Sequence, residues 1–152
     1  MHPKATASIK MLLSLDITKT EFENEHPDEF KFLRQMPLLQ RLLMSNCFPE
    51  NNCTVLDSIP AMPDILHVEL ASIGLISLVG IKEKFPKVGY LDLRGNRIYS
   101  TDTVEQIKLL PKLHTLLLHK NPITMNVNLK DMLMEAAPQL EILDAEKIRP
   151  TG

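Results

Sequence analysis

The chain has little cysteine, little glycine, almost no net charge and no long apolar run, and each shortage excludes a class of protein. Its two cysteines, Cys47 and Cys53, are too few for a disulfide framework, and without a second pair they do not predict a zinc site. There are five glycines in 152 residues, and the spacing of Gly74 and Gly80 fits neither a phosphate loop nor a dinucleotide-binding fingerprint. A net charge of -2 gives no general attraction to nucleic-acid phosphates.

The apolar runs are far too short to span a bilayer, so no membrane association is predicted. An apolar run near the start is interrupted by Asp16 and is followed by no small-residue cleavage site, so we expect no signal peptide. An intracellular location, cytoplasmic or nuclear, is the simplest expectation because the cysteines then stay reduced.

The sequence contains no recognisable set of catalytic or metal-binding residues. Nucleophile, base and orienting acid do not occur in any recognisable order, so we predict that the chain is not an enzyme and uses no cofactor. His114 and His119 lie five residues apart on a predicted strand and should face opposite ways, which is poor geometry for a shared metal. No metal site is therefore predicted.

An internal repeat is what the sequence does contain. The phrase P-x-φ-x-x-L-x-L-x-x-N, in which φ is apolar and counts as the first place, begins at Pro86 and again at Pro111, 25 residues later. This period, with leucine at the fourth and sixth places and asparagine at the ninth, is typical of a leucine-rich repeat. In a strand the fourth and sixth places point to one side, so Leu91 and Leu93 are predicted to enter the core while the third, fifth and seventh places face outward.

The same phrase occurs six times and gives the predicted organisation. Complete repeats start near residues 10, 37, 63, 86 and 111, and a last phrase starts at Pro138 and runs through Ala145 at its sixth place. Five of the six phrases open with proline, which ends a helix and favours the start of a strand. We predict an N-terminal tail over residues 1–9, repeats over 10–137, and a C-terminal cap over 128–150 whose helix covers the exposed edge of the stack.

The predicted fold is an α/β leucine-rich repeat solenoid with a parallel β-sheet on the concave side and short helices or 3-10 segments on the convex side. Asn96 and Asn121 should bond the backbones of neighbouring turns, and Cys47 at the same place should be a buried thiol. The first strand would be an open edge. We expect it to be covered by residues 1–9, by a partner, or by another part of a longer chain.

The repeats followed by a final helix and an LxxLD ending resemble the short intracellular leucine-rich repeat proteins with a C-terminal cap. That group includes a regulator of type-one protein phosphatase, the spliceosomal A-prime protein, acidic nuclear phosphoproteins, an axonemal dynein light chain and the leucine-rich domain of the mRNA export receptor. The resemblance covers residues 63–148 well and 10–62 loosely. It rests on Leu91, Leu93, Asn96, Ile98, Leu116, Leu118, Asn121, Pro122, Ile123, Pro138, Leu140, Leu143 and Asp144. It implies binding of proteins, in some members within RNA–protein particles, and no catalytic site in the repeats.

The outward-facing residues fall into three rows. The third-place row is Ser14, Arg41, His67, Tyr90, Thr115 and Ile142; the fifth-place row is Asp16, Leu43, Glu69, Asp92, Leu117 and Asp144; the seventh-place row is Thr18, Ser45, Ala71, Arg94, His119 and Glu146. Acids dominate the fifth-place row among aromatic and apolar side chains, so a basic helix or peptide with apolar anchors would fit this face. The predicted protein-binding residues are Arg41, Leu43, His67, Glu69, Tyr90, Asp92, Arg94, Leu117 and His119.

Several alternatives stay open at this point. The face could be solvated, with Asp92 and Arg94 paired within the sheet. The convex or lateral surface, the open first strand, or the acidic run at residues 21–29 could bind instead. The resemblance also permits an RNA-associated role, which predicts steeply salt-dependent binding. The basic residues available for it are Lys10, Lys19, Arg94, Lys120 and Lys147.

Overall fold

The computed structural model describes residues 9–20, 30–47 and 55–149. In these ranges the chain forms a seven-stranded sheet whose strands lie side by side in sequence order. The strands are β1 (Ser14–Asp16), β2 (Arg41–Leu43), β3 (His67–Glu69), β4 (Tyr90–Asp92), β5 (Thr115–Leu117), β6 (Ile142–Leu143) and β7 (Glu146–Lys147). The first six pair in parallel, and β7 is antiparallel to β6.

Short helical segments connect the strands. They are the 3-10 helices η1 (Lys31–Gln35) and η2 (Pro122–Met125) and the α-helices α1 (Val55–Ser58), α2 (Ile81–Lys84), α3 (Asp102–Lys108) and α4 (Leu129–Ala136). Each of these helices buries at least one residue in one continuous core shared with the strands; the buried residues include Leu33, Leu56, Ile81, Ile107, Ile123 and Leu133. Within the described ranges no helix has the length and apolar character needed to cross a membrane.

The strands pair in the register that the repeat predicts. Leu42, Val68, Leu91, Leu116 and Leu143 are successive partners across the sheet, and all five are buried. Because the fourth place of every phrase meets the fourth place of the next, the outward rows at the third and fifth places are also aligned. The predicted leucine-rich repeat solenoid is confirmed.

A ladder of asparagines joins consecutive turns. The Asn96 amide donates from Nδ2 to the carbonyls of Leu70 and Leu93, each at 2.9 Å, and its Oδ1 accepts from two further backbone N–H groups. Asn121 repeats the arrangement one turn later and also donates to the Leu93 carbonyl, at 2.8 Å. In the second repeat the buried Cys47 thiol donates to the Ile17 carbonyl of the preceding repeat at 3.0 Å, as the Asn96 amide does to the Leu70 carbonyl. The thiol therefore continues the ladder with a weaker donor.

The residue before the ladder position adopts a left-handed backbone in each of the five complete repeats. Lys19, Asn46, Ser72, Gly95 and Lys120 have φ between 54° and 71°. This conformation turns the chain sharply at the carboxyl end of each strand. Only one of the five is glycine. In the other four the left-handed conformation, which is uncommon for residues with a side chain, is stabilised by the neighbouring turns of the stack.

The last phrase differs from the prediction. Asp144 and Ala145 both have positive φ, 52° and 68°, and form a two-residue turn after which β7 runs back along β6. Positive φ at both central residues is the geometry that fits the twist of a tight hairpin. The predictions that Ala145 enters the core and that Glu146 extends the seventh-place row were wrong, because the chain reverses at this turn and Ala145 is exposed.

The hairpin, rather than the helix, covers the edge of the sheet. Helix α4 contacts α3 and so ends the helix layer, whereas β7 is the last strand of the sheet. The side chain of Arg149 follows the hairpin and donates to the carbonyls of Met134, Ala137 and Leu140 at 2.5, 3.2 and 2.8 Å. It thereby ties the end of α4 to the hairpin.

Two expectations concern segments outside the described residues. The acidic run at residues 21–29 lies there, as do residues 1–8 of the predicted tail. Ile9, the last residue of that tail, is described and packs partly buried against the core.

Candidate protein-binding face

The side of the sheet that carries the outward rows is called here the sheet face, and its centre is an aromatic pair. His67 of β3 and Tyr90 of β4 are register partners, and their rings stack with centroids 4.2 Å apart and planes 3° from parallel. Burial, followed by the nearby Asp92 and Glu69 charges, raises the pKa of the Tyr90 hydroxyl. Tyr90 therefore presents a protonated phenol beside a flat, partly exposed ring surface.

Glu69 is held by basic groups on two strands. Its Oε2 lies 2.6 Å from His67 Nε2, two residues earlier on the same strand, and 3.9 Å from an Nη of Arg41 on β2. The Glu69 side chain is 23% exposed, whereas that of Arg41 is 51% exposed. Arg41 is therefore the more accessible group of the pair.

Asp92 and Arg94 form a bidentate ion pair on the sheet face. Arg94 donates from Nε to Asp92 Oδ1 at 2.9 Å and from Nη2 to Oδ2 at 2.8 Å, and its backbone N–H also donates to Oδ1. These hydrogen bonds to Asp92 raise the pKa of the Arg94 guanidinium. The pairing within the sheet, which the sequence left as an alternative, is observed.

The two acids of β3 and β4 differ in how far they are covered. The Asp92 side chain is 2% exposed beneath that of Arg94, which is 52% exposed. Glu69 and His67 are about equally exposed, at 23% and 26%. The charge of Asp92 is therefore largely compensated by Arg94, whereas Glu69 stays partly accessible beside the aromatic pair.

The apolar members of the fifth-place row lie on either side of these charges. Leu117 is the register partner of Asp92 and is buried, whereas Leu43 pairs with Glu69 and is half-buried. Thr115, next to Tyr90 in the third-place row, is buried as well. Leu43 is therefore the apolar side chain of this row that a partner reaches more readily.

The ends of the sheet face are polar. At the far end, Asp144 Oδ1 accepts the backbone N–H groups of Leu118 and His119 at 2.6 and 2.9 Å, and its Oδ2 lies 3.8 Å from the exposed His119 ring. At the near end, Asp16 Oδ1 accepts the Thr18 N–H at 2.9 Å, and this bond lowers the pKa of the Asp16 carboxyl. Both aspartates hold turns.

The two histidines weighed as metal ligands occupy separate environments. His114 Nδ1 lies 2.8 Å from the Thr115 hydroxyl, and the other ring edge faces Gly89, whereas His119 lies near Asp144. In the part of the chain that the structure describes, no group of three or more histidine, cysteine, aspartate or glutamate side chains is placed to hold a metal ion.

The nine predicted residues fall into two groups. Arg41, Leu43, His67, Glu69, Tyr90 and Arg94 lie together over β2 to β4, and Asp92 lies beneath Arg94. Leu117 is buried and His119 lies beyond the end of β5. The rows omitted the eighth-place residues, which lie outside the strands; their shared left-handed turn could not be read from residues as different as lysine, serine and glycine.

These features define a leucine-rich repeat protein whose sheet face carries an ordered cluster of aromatic and basic side chains. Comparisons with known proteins agree with that class. A probable U2 small nuclear ribonucleoprotein A' of Drosophila melanogaster is 28% identical over 101 residues, which cover 66% of this chain and 38% of the relative. An acidic leucine-rich nuclear phosphoprotein 32-related protein of Plasmodium falciparum is 28% identical over 128 residues, which cover 82% of this chain and 43% of the relative.

A solved structure gives the same fold. The crystal structure of the Drosophila melanogaster SNF/U2A' complex contains a chain that matches with a TM-score of 0.68 and 20% identity, covering 98% of this chain and 85% of that chain. The predicted resemblance to the spliceosomal A-prime protein and the acidic nuclear phosphoproteins is confirmed. No protein-family model matches. This chain spans less than half the length of the two relatives named above.

Proposed function

We propose that the chain is a non-catalytic protein-interaction module, a subunit of an intracellular complex that binds a protein partner through the sheet face. The observation that carries the proposal is the His67–Tyr90 stack flanked by the exposed Arg41 and Arg94. Tyrosine and arginine dominate the energetics of many protein interfaces, because they bury large area and lose little side-chain freedom when already ordered.

The ordering comes from the ion pairs beneath the cluster. Arg94 is fixed by two side-chain hydrogen bonds to Asp92, and His67 by its contact with Glu69. A partner therefore docks on side chains whose conformations are already set. The relatives support a protein partner, since one matching chain comes from a complex of U2A' with SNF and neither relative's name denotes an enzyme.

The test is partner capture from source cells by the tagged chain, followed by purification of the captured protein and measurement of its affinity. Tyr90→Ala should weaken that affinity by about 10- to 100-fold, the effect of removing a central aromatic anchor. Tyr99→Ala is the matched control, because Tyr99 is 66% exposed and lies outside the strands. Equal affinities for Tyr90→Ala and the unchanged chain, with both folded by circular dichroism, would refute the sheet-face interface.

A second candidate is an RNA-associated module of a splicing or mRNA-export ribonucleoprotein, favoured by the ribonucleoprotein name of one relative. Direct RNA contact would need several exposed cations in line, whereas Arg41 and Arg94 on the sheet face each lie beside a carboxylate, Glu69 and Asp92 respectively. Filter binding of a mixed-sequence single-stranded RNA at low and high salt decides between the two. A steep loss of affinity with salt supports RNA contact, and no binding at low salt rejects it.

A further inference from the structure

A depression lies at the carboxyl ends of β3, β4 and β5, beside the sheet face. It has a volume of about 450 Å³ and is lined by Ala71, Ser72, Arg94, Gly95, His119 and Lys120. These are the seventh- and eighth-place pairs of three successive repeats. The Ser72 N–H donates to the Arg94 carbonyl and the Gly95 N–H to the His119 carbonyl, each at 2.9 Å, so the three pairs lie side by side in fixed register.

The middle residue of the three turns has no side chain. Ser72, Gly95 and Lys120 follow one another across the turns, each with positive φ. A Cβ added to Gly95 would lie 2.6 Å from the Ser72 Oγ. A side chain at this position would therefore collide with the Ser72 hydroxyl, which lines the depression.

The lining offers hydrogen-bond donors and positive charge. None of its six residues is acidic, and Arg94 and Lys120 are cationic. Arg94 uses its Nε and one Nη2 bond for Asp92, which leaves the outer donors of its guanidinium free. In the described part of the chain, the Ser72 hydroxyl and the Lys120 ammonium make no hydrogen bond or ion pair. Several free donors around one small space suit the oxygens of an anion.

We propose that this depression receives a carboxylate from an aspartate or glutamate of the protein partner, and so acts as a second anchor beside the aromatic cluster. The inference rests on the proposed function, because Arg94 borders both the depression and the His67–Tyr90 stack. A carboxylate fits better than a nucleic-acid backbone, since a row of phosphates needs several cations in line. In this protein the row of basic side chains does not continue, because the next turn carries the acid Asp144, whose Oδ2 lies 3.8 Å from His119 Nδ1.

The test is a titration of the isotopically labelled full chain with a short peptide of alternating glutamate and glycine, followed by amide chemical shifts at low salt. The matched probe replaces each glutamate with glutamine. We expect saturable shifts at Ser72, Gly95 and Lys120 with the glutamate peptide and not with the glutamine peptide. Lys120→Glu should weaken the apparent affinity by about 5- to 10-fold, as for reversal of one partly exposed charge contact. Lys112→Glu, an exposed lysine at the other end of β5, should change it less than about 2-fold.

The inference is overturned if the glutamine peptide produces the same shifts, if the shifts do not saturate, or if both lysine variants lose affinity equally. A single-stranded RNA that shifts the same amides at lower concentration than the glutamate peptide also overturns it, in favour of a nucleic-acid site. Failure here is separable from failure of the proposed function. If Lys120→Glu leaves capture of the protein partner unchanged while Tyr90→Ala weakens it, the depression is rejected and the sheet-face interface stands.

Discussion

Replacing Asn96 with alanine tests how much the asparagine ladder contributes to stability. Asn96 is 4% exposed, and its Oδ1 is the acceptor for two buried backbone N–H groups, those of Ile73 at 3.0 Å and Leu75 at 3.1 Å. Alanine removes that acceptor and leaves both N–H groups without a partner in the protein. It also removes the donor to the Leu70 and Leu93 carbonyls.

The magnitude follows from the number of groups left unpaired. A buried N–H without a partner costs about 1 to 3 kcal/mol. The carbonyls add less, because Leu93 still accepts from Asn121 Nδ2. We therefore expect Asn96→Ala to lower the free energy of unfolding by about 2 to 5 kcal/mol. Asn121→Ala should cost less, about 1 to 3 kcal/mol, because Asn121 Oδ1 accepts from a single N–H, that of Ile98.

Urea denaturation followed by circular dichroism measures these differences. The midpoint should fall while the slope m stays constant, since the surface exposed on unfolding is nearly unchanged. Arg97→Ala, on the exposed neighbour of Asn96, is the control and should stay within about 0.5 kcal/mol. The reasoning fails if Asn96→Ala and Arg97→Ala have equal midpoints, or if Asn121→Ala is the more costly ladder variant.

Three further predictions concern other parts of the stack. Gly95→Ala should lower stability by about 1 to 2 kcal/mol, because Gly95 has φ 71° and its Cβ would meet Ser72 Oγ; adding Ser72→Gly should recover part of the loss in the same urea assay. Burial raises the pKa of the Cys47 thiol from 9.0 to about 11. In a Cys53→Ser chain the Cys47 thiol should therefore react with iodoacetamide only after unfolding, and rapid reaction of the folded chain at neutral pH would contradict this. The contribution of the protonated thiol to stability should be complete below pH 9.0 and lost as the pH rises through about 11. Arg149→Ala removes three hydrogen bonds to carbonyls and should lower the free energy of unfolding by about 1 to 2 kcal/mol in the urea assay, with little recovery by Arg149→Lys. An unchanged urea midpoint would contradict the role of Arg149 in tying the hairpin to α4.

The strand register could be predicted because two independent features of the sequence set its phase. Alternation places Leu91 and Leu93 on one side of a strand, and a one-residue slip would expose both. The prolines fix where each strand begins, so the phrases align without reference to the structure. The observed pairing of Tyr90 with Thr115 and of Leu91 with Leu116 follows from that phase alone.

The end of the repeat could not be predicted by the same argument. The last phrase keeps leucine at Leu140 and Leu143, so its pattern continues to indicate another turn of the stack. What ends the stack is a change of backbone conformation at Asp144 and Ala145, which hold positive φ without a glycine to signal it. The carboxylate of Asp144 accepts two N–H groups from the preceding repeat, and this contact across 25 and 26 residues holds the turn.

The pairing of charges on the sheet face was one of two interpretations that the sequence left open, and the structure contains the Asp92–Arg94 pair. Residues two apart on one strand lie next to each other on the same face, so a long arginine two places after an aspartate can fold back over it. Asp92 followed by Arg94, and His67 followed by Glu69, both have this spacing, and both make the contact. In the first pair the acid is buried beneath an exposed guanidinium, whereas in the second the histidine and the glutamate are about equally exposed, at 26% and 23%. We therefore expect the proposed partner to place an acid opposite Arg94, while the basic segment suggested by the count of acids stays a prediction for the part of the face around Glu69.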